Sequence, residues 1–207
     1  MSARLPDAYF DRLYAGAEDP WDLQARWYER RKYAITMAML PNPRYRHAFE
    51  PGCSIGVLTE HLSARCDRVT STDVVAAALD ATARRLLDAK RRDRVTLLRS
   101  SLDEPWPDGP FDLLVLSEVG YYLHPGALRA VLDREVPRLA PGATVLAAHW
   151  RHRVDDYPMT GDRTNKIVGA TAGLHSIAAY RDTDLAIDVF DTATDASVAA
   201  RTGVPGP

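Results

Sequence analysis

An α/β fold is predicted: a doubly wound, mostly parallel seven-stranded sheet with an antiparallel C-terminal hairpin. Three observations carry this expectation. Between Tyr45 and Ala148, five apolar or β-branched runs alternate with stretches of helical length, the pattern of β-α units stacked into a parallel sheet. One of those runs, Phe111–Ser117, is nearly continuous in apolar character, which suits a central strand covered on both faces. Two later runs, Ser176–Tyr180 and Asp184–Phe190, flank Asp182-Thr183 and are the one adjacent pair close enough to form a hairpin.

The elements follow in order. Asp19-Pro20-Trp21 reads as an N-cap acid with proline at the first helical position, predicting a helix through Tyr33 and Met37 to the stop at Pro41. The first strand spans about Tyr45–Glu50, and a helix follows near Val57–Arg65. A second strand, Arg68–Thr72, ends on Asp73 and leads into an alanine-rich helix, about Ala76–Arg91. Val95–Leu98 is the third strand, followed by the proline-broken loop Ser100–Pro107. After the Phe111–Ser117 strand, a helix from about Ala127 ends near Leu139, before Pro141-Gly142. Ala143–Ala148 makes a fifth strand stopping at His149-Trp150. A single domain over residues 1–192, with a helical cap at about 7–40, and a loose tail over 193–207 complete the organisation.

The functional signal begins at Glu50-Pro51-Gly52-Cys53-Ser54-Ile55-Gly56, where the first strand turns sharply into a helix. Glycines there let a ligand lie against bare backbone and the donors of a helix N-terminus. Gly52–Gly56 also spells the G-x-S-x-G elbow of a serine hydrolase, with Ser54 as nucleophile and Asp156 and His175 available downstream. That fold normally builds several strands before its elbow, and no glycine-rich oxyanion segment precedes this one. A dinucleotide site would need G-x-G-x-x-G, but Ser54 stands where the second glycine should be and Gly56 comes one residue early. Asp73, 21 residues past Gly52 at a strand end, is nonetheless placed to accept hydrogen bonds from ribose hydroxyls. A ribose without a pyrophosphate points to the adenosyl group of S-adenosylmethionine, and Ser54 then becomes a small loop residue beside its methionine end.

Whole-chain properties agree with a small-molecule ligand. The 207 residues carry a formal charge of −2, which offers no basic field for nucleic acid or an anionic membrane. No apolar run approaches the roughly 20 residues of a membrane span, and the first residues lack a signal-peptide core, so a cytoplasmic protein is expected. Cys53 and Cys66 have no metal spacing, and no metal is expected.

These motifs resemble those of the class I S-adenosylmethionine-dependent methyltransferases, over about Tyr9–Asp191. Glu50–Gly56 is similar to that superfamily's first motif, departing from E-x-G-x-G-x-G at Ser54, and Thr72-Asp73 resembles its ribose-binding acid. Ser100–Asp103 resembles the adenine-side loop, although Ser101 falls where many members have an aspartate. Phe111–Glu118 is similar to the fourth motif, whose strand end borders the transferred methyl group. Within the superfamily, Asp19-Pro20-Trp21, Tyr28–Tyr33 and His149-Trp150 most resemble the nodulation protein S group, N-methyltransferases acting on an amino sugar of chitooligosaccharides. The resemblance implies a Rossmann-like methyltransferase fold and S-adenosylmethionine as cofactor, leaving S-adenosylhomocysteine as product. Cofactor contacts are expected from Trp21, Tyr28, Arg31, Glu50, Gly52, Ser54, Gly56, Asp73, Val74, Ser101, Leu102 and Ser117. Arg31, four residues from Trp27, would grip the methionine carboxylate with its guanidinium. Methyl transfer is an in-line displacement, so catalysis is mostly positioning, with a carboxylate or imidazole near the methyl to take an amine's proton. Glu118, Tyr121, His149 and His152 are the candidates, lying after the fourth and fifth strands where open α/β sheets bind ligands. The expected acceptor is an amine nitrogen, with an oxygen acceptor, or a sensor that binds the cofactor without catalysis, as alternatives.

Overall fold

The computed structural model describes residues 3–205. Seven strands form one sheet: β1 (Tyr45–Pro51), β2 (Cys66–Asp73), β3 (Val95–Arg99), β4 (Leu113–Ser117), β5 (Thr144–Trp150), β6 (His175–Arg181) and β7 (Leu185–Asp191). Their order is β3-β2-β1-β4-β5-β7-β6, with β7 antiparallel to β5 and to β6 and all other pairs parallel. The fold class predicted above is therefore the one observed. Strand order reverses between β1 and β4, so the loops leaving those two strands diverge and open a crevice at their C-terminal ends.

The apolar run at β4 is explained by burial on both sides. Leu113 and Val115 belong to a core with Leu58 and Leu62 of α3 (Val57–Arg65) and Tyr33 of α2 (Trp27–Met39). Leu114 and Leu116 face the opposite core, with Leu128 of α5 (Pro125–Glu135) and Val168 of α6 (Gly161–Gly169). The hairpin is closed by Asp182, whose Oδ1 accepts from the amides of Asp184 (2.9 Å) and Leu185 (2.7 Å).

Four helical features differ from the expectation. The Asp19-Pro20-Trp21 signal does not start a long helix. Asp19 caps an isolated turn instead, accepting from the amides of Leu23 (2.9 Å) and Gln24 (3.1 Å), and Asp22 at φ 55° bends the chain before α2 begins at Trp27. A separate helix, α1 (Asp7–Gly16), precedes that turn, and α6, for which no helix was expected, starts at a Thr160 cap that accepts from the Arg163 amide. Beyond residue 192, the short helix α7 (Val198–Arg201) follows the Ser197 cap, and Arg201 is tied to Asp191 at 2.6 Å. The helix α4 (Ala76–Asp88) completes the fold. No helix among the described residues is long and apolar enough to cross a membrane.

Candidate active site

A cavity of about 390 Å³ occupies the crevice, within the range of small-molecule sites, roughly 300–1,000 Å³. One half is built on the turns leaving β1 and β2. The amides of Gly52 and Cys53 both donate to the Thr72 carbonyl, at 2.7 and 2.9 Å, folding the turn back against β2. Gly52, Ser54 and Gly56 all adopt positive φ (75°, 52° and 77°). Asp73 fastens this turn from the next strand: Oδ2 accepts from the Ser54 amide (2.9 Å) and Oδ1 from the Val75 amide (3.0 Å). Burial pushes the Asp73 carboxyl above its ordinary value, against the opposing pull of those amides. Glu50, 2% exposed, accepts from the hydroxyls of Thr59 (2.6 Å) and Ser71 (2.8 Å) on one oxygen, and burial raises its carboxyl to about 7. The turn is covered by α1, whose Tyr14 hydroxyl lies 2.5 Å from Ser54 Oγ and whose ring meets Trp21 edge-on.

The other half is built on β4, β5 and α2. Glu118, just past β4, holds a left-handed backbone (φ 54°). Its Oε1 accepts from the Lys32 ammonium (3.0 Å), and its Oε2 accepts from the Tyr121 hydroxyl (2.7 Å) and the Trp150 amide (2.8 Å). Burial raises the Glu118 carboxyl, but the Lys32 ammonium and these hydrogen bonds outweigh it, leaving the group below its ordinary value. Tyr28, edge-on to Trp150, places a buried hydroxyl here that has no hydrogen-bond partner among the described residues. Tyr157 stacks on Tyr121 at 4.9 Å between ring centroids.

Most of the residues expected from sequence line this cavity: Trp21, Tyr28, Glu50, Gly52, Ser54, Asp73, Val74, Ser101, Leu102, Ser117, Glu118 and Tyr121. Four do not. Arg31 turns outward to the hairpin, donating to Asp182 (2.7 Å) and to the Tyr180 hydroxyl (2.5 Å). Gly56 is a backbone requirement, since a Cβ there would lie 2.6 Å from the Thr82 methyl at a φ that side chains disfavour. His149 is 0% exposed and sits beneath the site. Its Nε2 accepts from the Gly120 amide (3.1 Å), so the proton is on Nδ1, which donates to Asn165 Oδ1 (2.7 Å). Asn165 is oriented by giving its amide hydrogens to Asp188 and to backbone carbonyls. Burial depresses the His149 pKa, so the ring is a neutral clamp on the Gly120–Tyr122 turn. His152 is exposed and paired with Asp184 at 2.7 Å.

Tyr14, Glu29, Lys32 and Trp150, which the sequence did not single out as site residues, also line the pocket, as does Tyr122 beside Tyr121. A signal existed for two of them: Glu29, Lys32, Tyr33 and Thr36 recur at helical spacing and form the buried stripe of α2, but the stripe is polar. The hydrolase reading has no geometry. Ser54 Oγ is bonded to Tyr14, while His175 starts β6 level with Thr144, at the far end of the sheet from the cavity.

A family model described as nodulation protein S (NodS) matches residues 11–158. The chain belongs to the nodulation protein S family. It is 34% identical over 128 residues to nodulation protein S of Rhizobium tropici, covering 61% of this chain and 52% of that protein. It is 32% identical over 139 residues to the Bradyrhizobium diazoefficiens protein, covering 66% and 65%. The matched region thus spans between half and two thirds of the length of these relatives. Among solved structures, the N-methyltransferase NodS from Bradyrhizobium japonicum WM9 in complex with S-adenosylhomocysteine is similar at a TM-score of 0.78. That match has 25% identity and covers 89% of this chain and 96% of that one. The family's methyltransferase architecture is the one described above.

Proposed function

We propose that this protein transfers a methyl group from S-adenosylmethionine to an amine nitrogen of a small acceptor, an amino sugar being the acceptor class favoured by the family. The observation that carries the reading is one cavity at the reversal of strand order, with an Asp73-fastened glycine turn on one side and the Glu118–Tyr121 pair on the other. The residues present suit such a cofactor. Asp73 accepts from backbone amides on both oxygens and faces the cavity with acceptor capacity left for ribose hydroxyls, and Tyr28 brings a buried hydroxyl that lacks a partner among the described residues.

Bound there, S-adenosylmethionine supplies an electrophilic methyl on a sulfonium. The protein's part is to hold, orient and keep dry. The bare turn at Gly52–Ser54 and the Glu50 carboxyl would receive the methionine end, Val74, Ser101 and Leu102 would flank the adenine, and Tyr14 and Trp21 would cover the middle, all of them residues that line the cavity. Ser117 closes the floor between the halves. Glu118 and Tyr121 face the acceptor, with Tyr122, Trp150 and Tyr157 as apolar walls that exclude water. The reading assumes a reducing cytoplasm, in which Cys53 and Cys66 stay thiols.

Calorimetric titration with S-adenosylhomocysteine and with NAD tests the cofactor. Binding of the former, weakened by about 1–3 kcal/mol in Asp73→Ala, is expected; tight NAD binding with no response to S-adenosylhomocysteine would overturn the reading.

A further inference from the structure

Two charged side chains beside Glu118 have no role in the reading so far. Lys32 is 2% exposed, and its ammonium touches two carboxylates, Glu118 Oε1 at 3.0 Å and Glu29 Oε2 at 2.7 Å. The rings of Tyr28 and Tyr33 are 5.7 and 5.1 Å from the ammonium. Burial lowers the Lys32 pKa, but the two carboxylates outweigh it and keep the group charged. Burial raises the Glu29 carboxyl, and Lys32 opposes it. Around Glu118 the other titratable groups are Tyr28, Tyr33, Tyr121, Tyr122 and Tyr157, with His149 held neutral beneath. The two arginines that line the cavity are engaged elsewhere, Arg26 with Asp22 and Arg4 with Asp7 and Asp103. One cation between two carboxylates gives the cluster a formal charge of minus one, and Glu118 presents it to the cavity with 21% of its side chain exposed.

Resting on the methyl-transfer reading, we propose that the Glu29–Lys32–Glu118 cluster selects an amine over a hydroxyl as methyl acceptor, with Glu29 and Lys32 acting as specificity-determining residues behind Glu118. The sign of the charge decides between the two chemistries. An amine that enters as its ammonium first gives one proton to solvent; the nitrogen lone pair then forms the N–C bond while the C–S electron pair stays on sulfur, so positive charge passes from sulfur to nitrogen. It arrives beside a fixed negative cluster in a site of low dielectric. The surplus N–H proton then leaves through the Tyr121 hydroxyl, which gives its own proton to Glu118 Oε2 and takes the one from nitrogen, before release to solvent. A hydroxyl acceptor has to lose its proton to become nucleophilic, and the resulting alkoxide would face like charge. Lys32 permits the arrangement, because without it two carboxylates so close to one point would share a proton rather than both ionise.

The test uses the full chain saturated with S-adenosylhomocysteine, and compares cyclohexylamine with its near-isostere cyclohexanol by NMR of protein carrying ¹³C-labelled glutamate carboxyls. The amine is expected to bind about tenfold more tightly than the alcohol and to move the Glu118 signal. Glu29→Gln, which neutralises the cluster without touching the Lys32–Glu118 pair, is expected to remove most of that preference while calorimetry still shows S-adenosylhomocysteine binding. In Lys32→Met the Glu118 carboxyl should titrate at clearly higher pH. Equal binding of the two probes, binding of neither, or an unchanged preference in Glu29→Gln overturns the proposal. Failure of the methyl-transfer reading would show separately, as absent S-adenosylhomocysteine binding.

Discussion

Replacing Glu50 by glutamine removes one charge from the floor of the cavity and leaves an oxygen to accept from Thr59 and Ser71. The carboxyl is raised from 4.5 to about 7 by burial, so between those pH values the unfolded chain has released a proton that the folded chain still holds. Stability is therefore fully present below pH 4.5 and is lost as pH rises through about 7, by about 1.4 kcal/mol per pH unit and about 3 kcal/mol in total. Glutamine does not titrate. Urea unfolding followed by circular dichroism at pH 5, 6, 7 and 8 should show Glu50→Gln gaining on the wild type steadily, most at pH 8. Asp73, also raised by burial, is common to both proteins and cancels in the difference. An added consequence concerns the ligand: a cationic ammonium bound beside Glu50 favours the ionised form, so S-adenosylhomocysteine should release a proton near pH 7 in the wild type and not in the variant. Calorimetry in buffers of different ionisation enthalpy reads this directly. Unfolding curves that stay a constant distance apart from pH 5 to pH 8 would refute the reasoning.

Other substitutions probe the remaining geometry. Gly56→Ala places a Cβ 2.6 Å from the Thr82 methyl at φ 77°, and should lower stability by about 2–4 kcal/mol in thermal or urea unfolding; an unchanged midpoint would contradict the close approach. The His149 imidazole should remain the neutral Nδ1–H tautomer at pH 6.5 by ¹⁵N-detected NMR, and His149→Leu, which strands the Gly120 amide and the Asn165 carbonyl, should cost about 2–5 kcal/mol. An imidazolium at that pH would count against the clamp. Arg31→Ala should leave S-adenosylhomocysteine affinity nearly unchanged and move the unfolding midpoint little, because its partners are on the hairpin and its guanidinium is open to solvent. A loss of about tenfold in affinity would return Arg31 to the cofactor site.

What could be read from sequence was whatever backbone geometry dictates. The interval from Gly52 to Asp73 is one turn, one helix and one strand, so an acid at that distance has to return to the same edge of the sheet, and it does. The β4 run and the Asp182 turn were legible for the same kind of reason. Side-chain direction was not. Arg31 and Lys32 are neighbours in a basic run, yet one helical step separates an outward ion pair from a buried ammonium. His149 ends a strand that points to the cavity, but α6, whose packing residues Thr164 and Asn165 are polar, draws the ring down to its own side. Asp19 misled because a cap satisfies one turn as well as it satisfies a long helix.

The close seating of α6 has its own consequence. A Cβ on Gly161 would lie 2.1 Å from the Trp150 carbonyl, and one on Gly120 would lie 2.5 Å from the Thr164 methyl, so both contacts exist only because two side chains are missing. They lock the acceptor wall to α6 without any part of the cofactor turn, which rests on β1, β2 and α4. The molecule is thus modular at its active end. The stretch 151–160, strung between β5 and the start of α6, is held to that wall by Tyr157 on Tyr121 and by buried Met159, and not to the glycine turn.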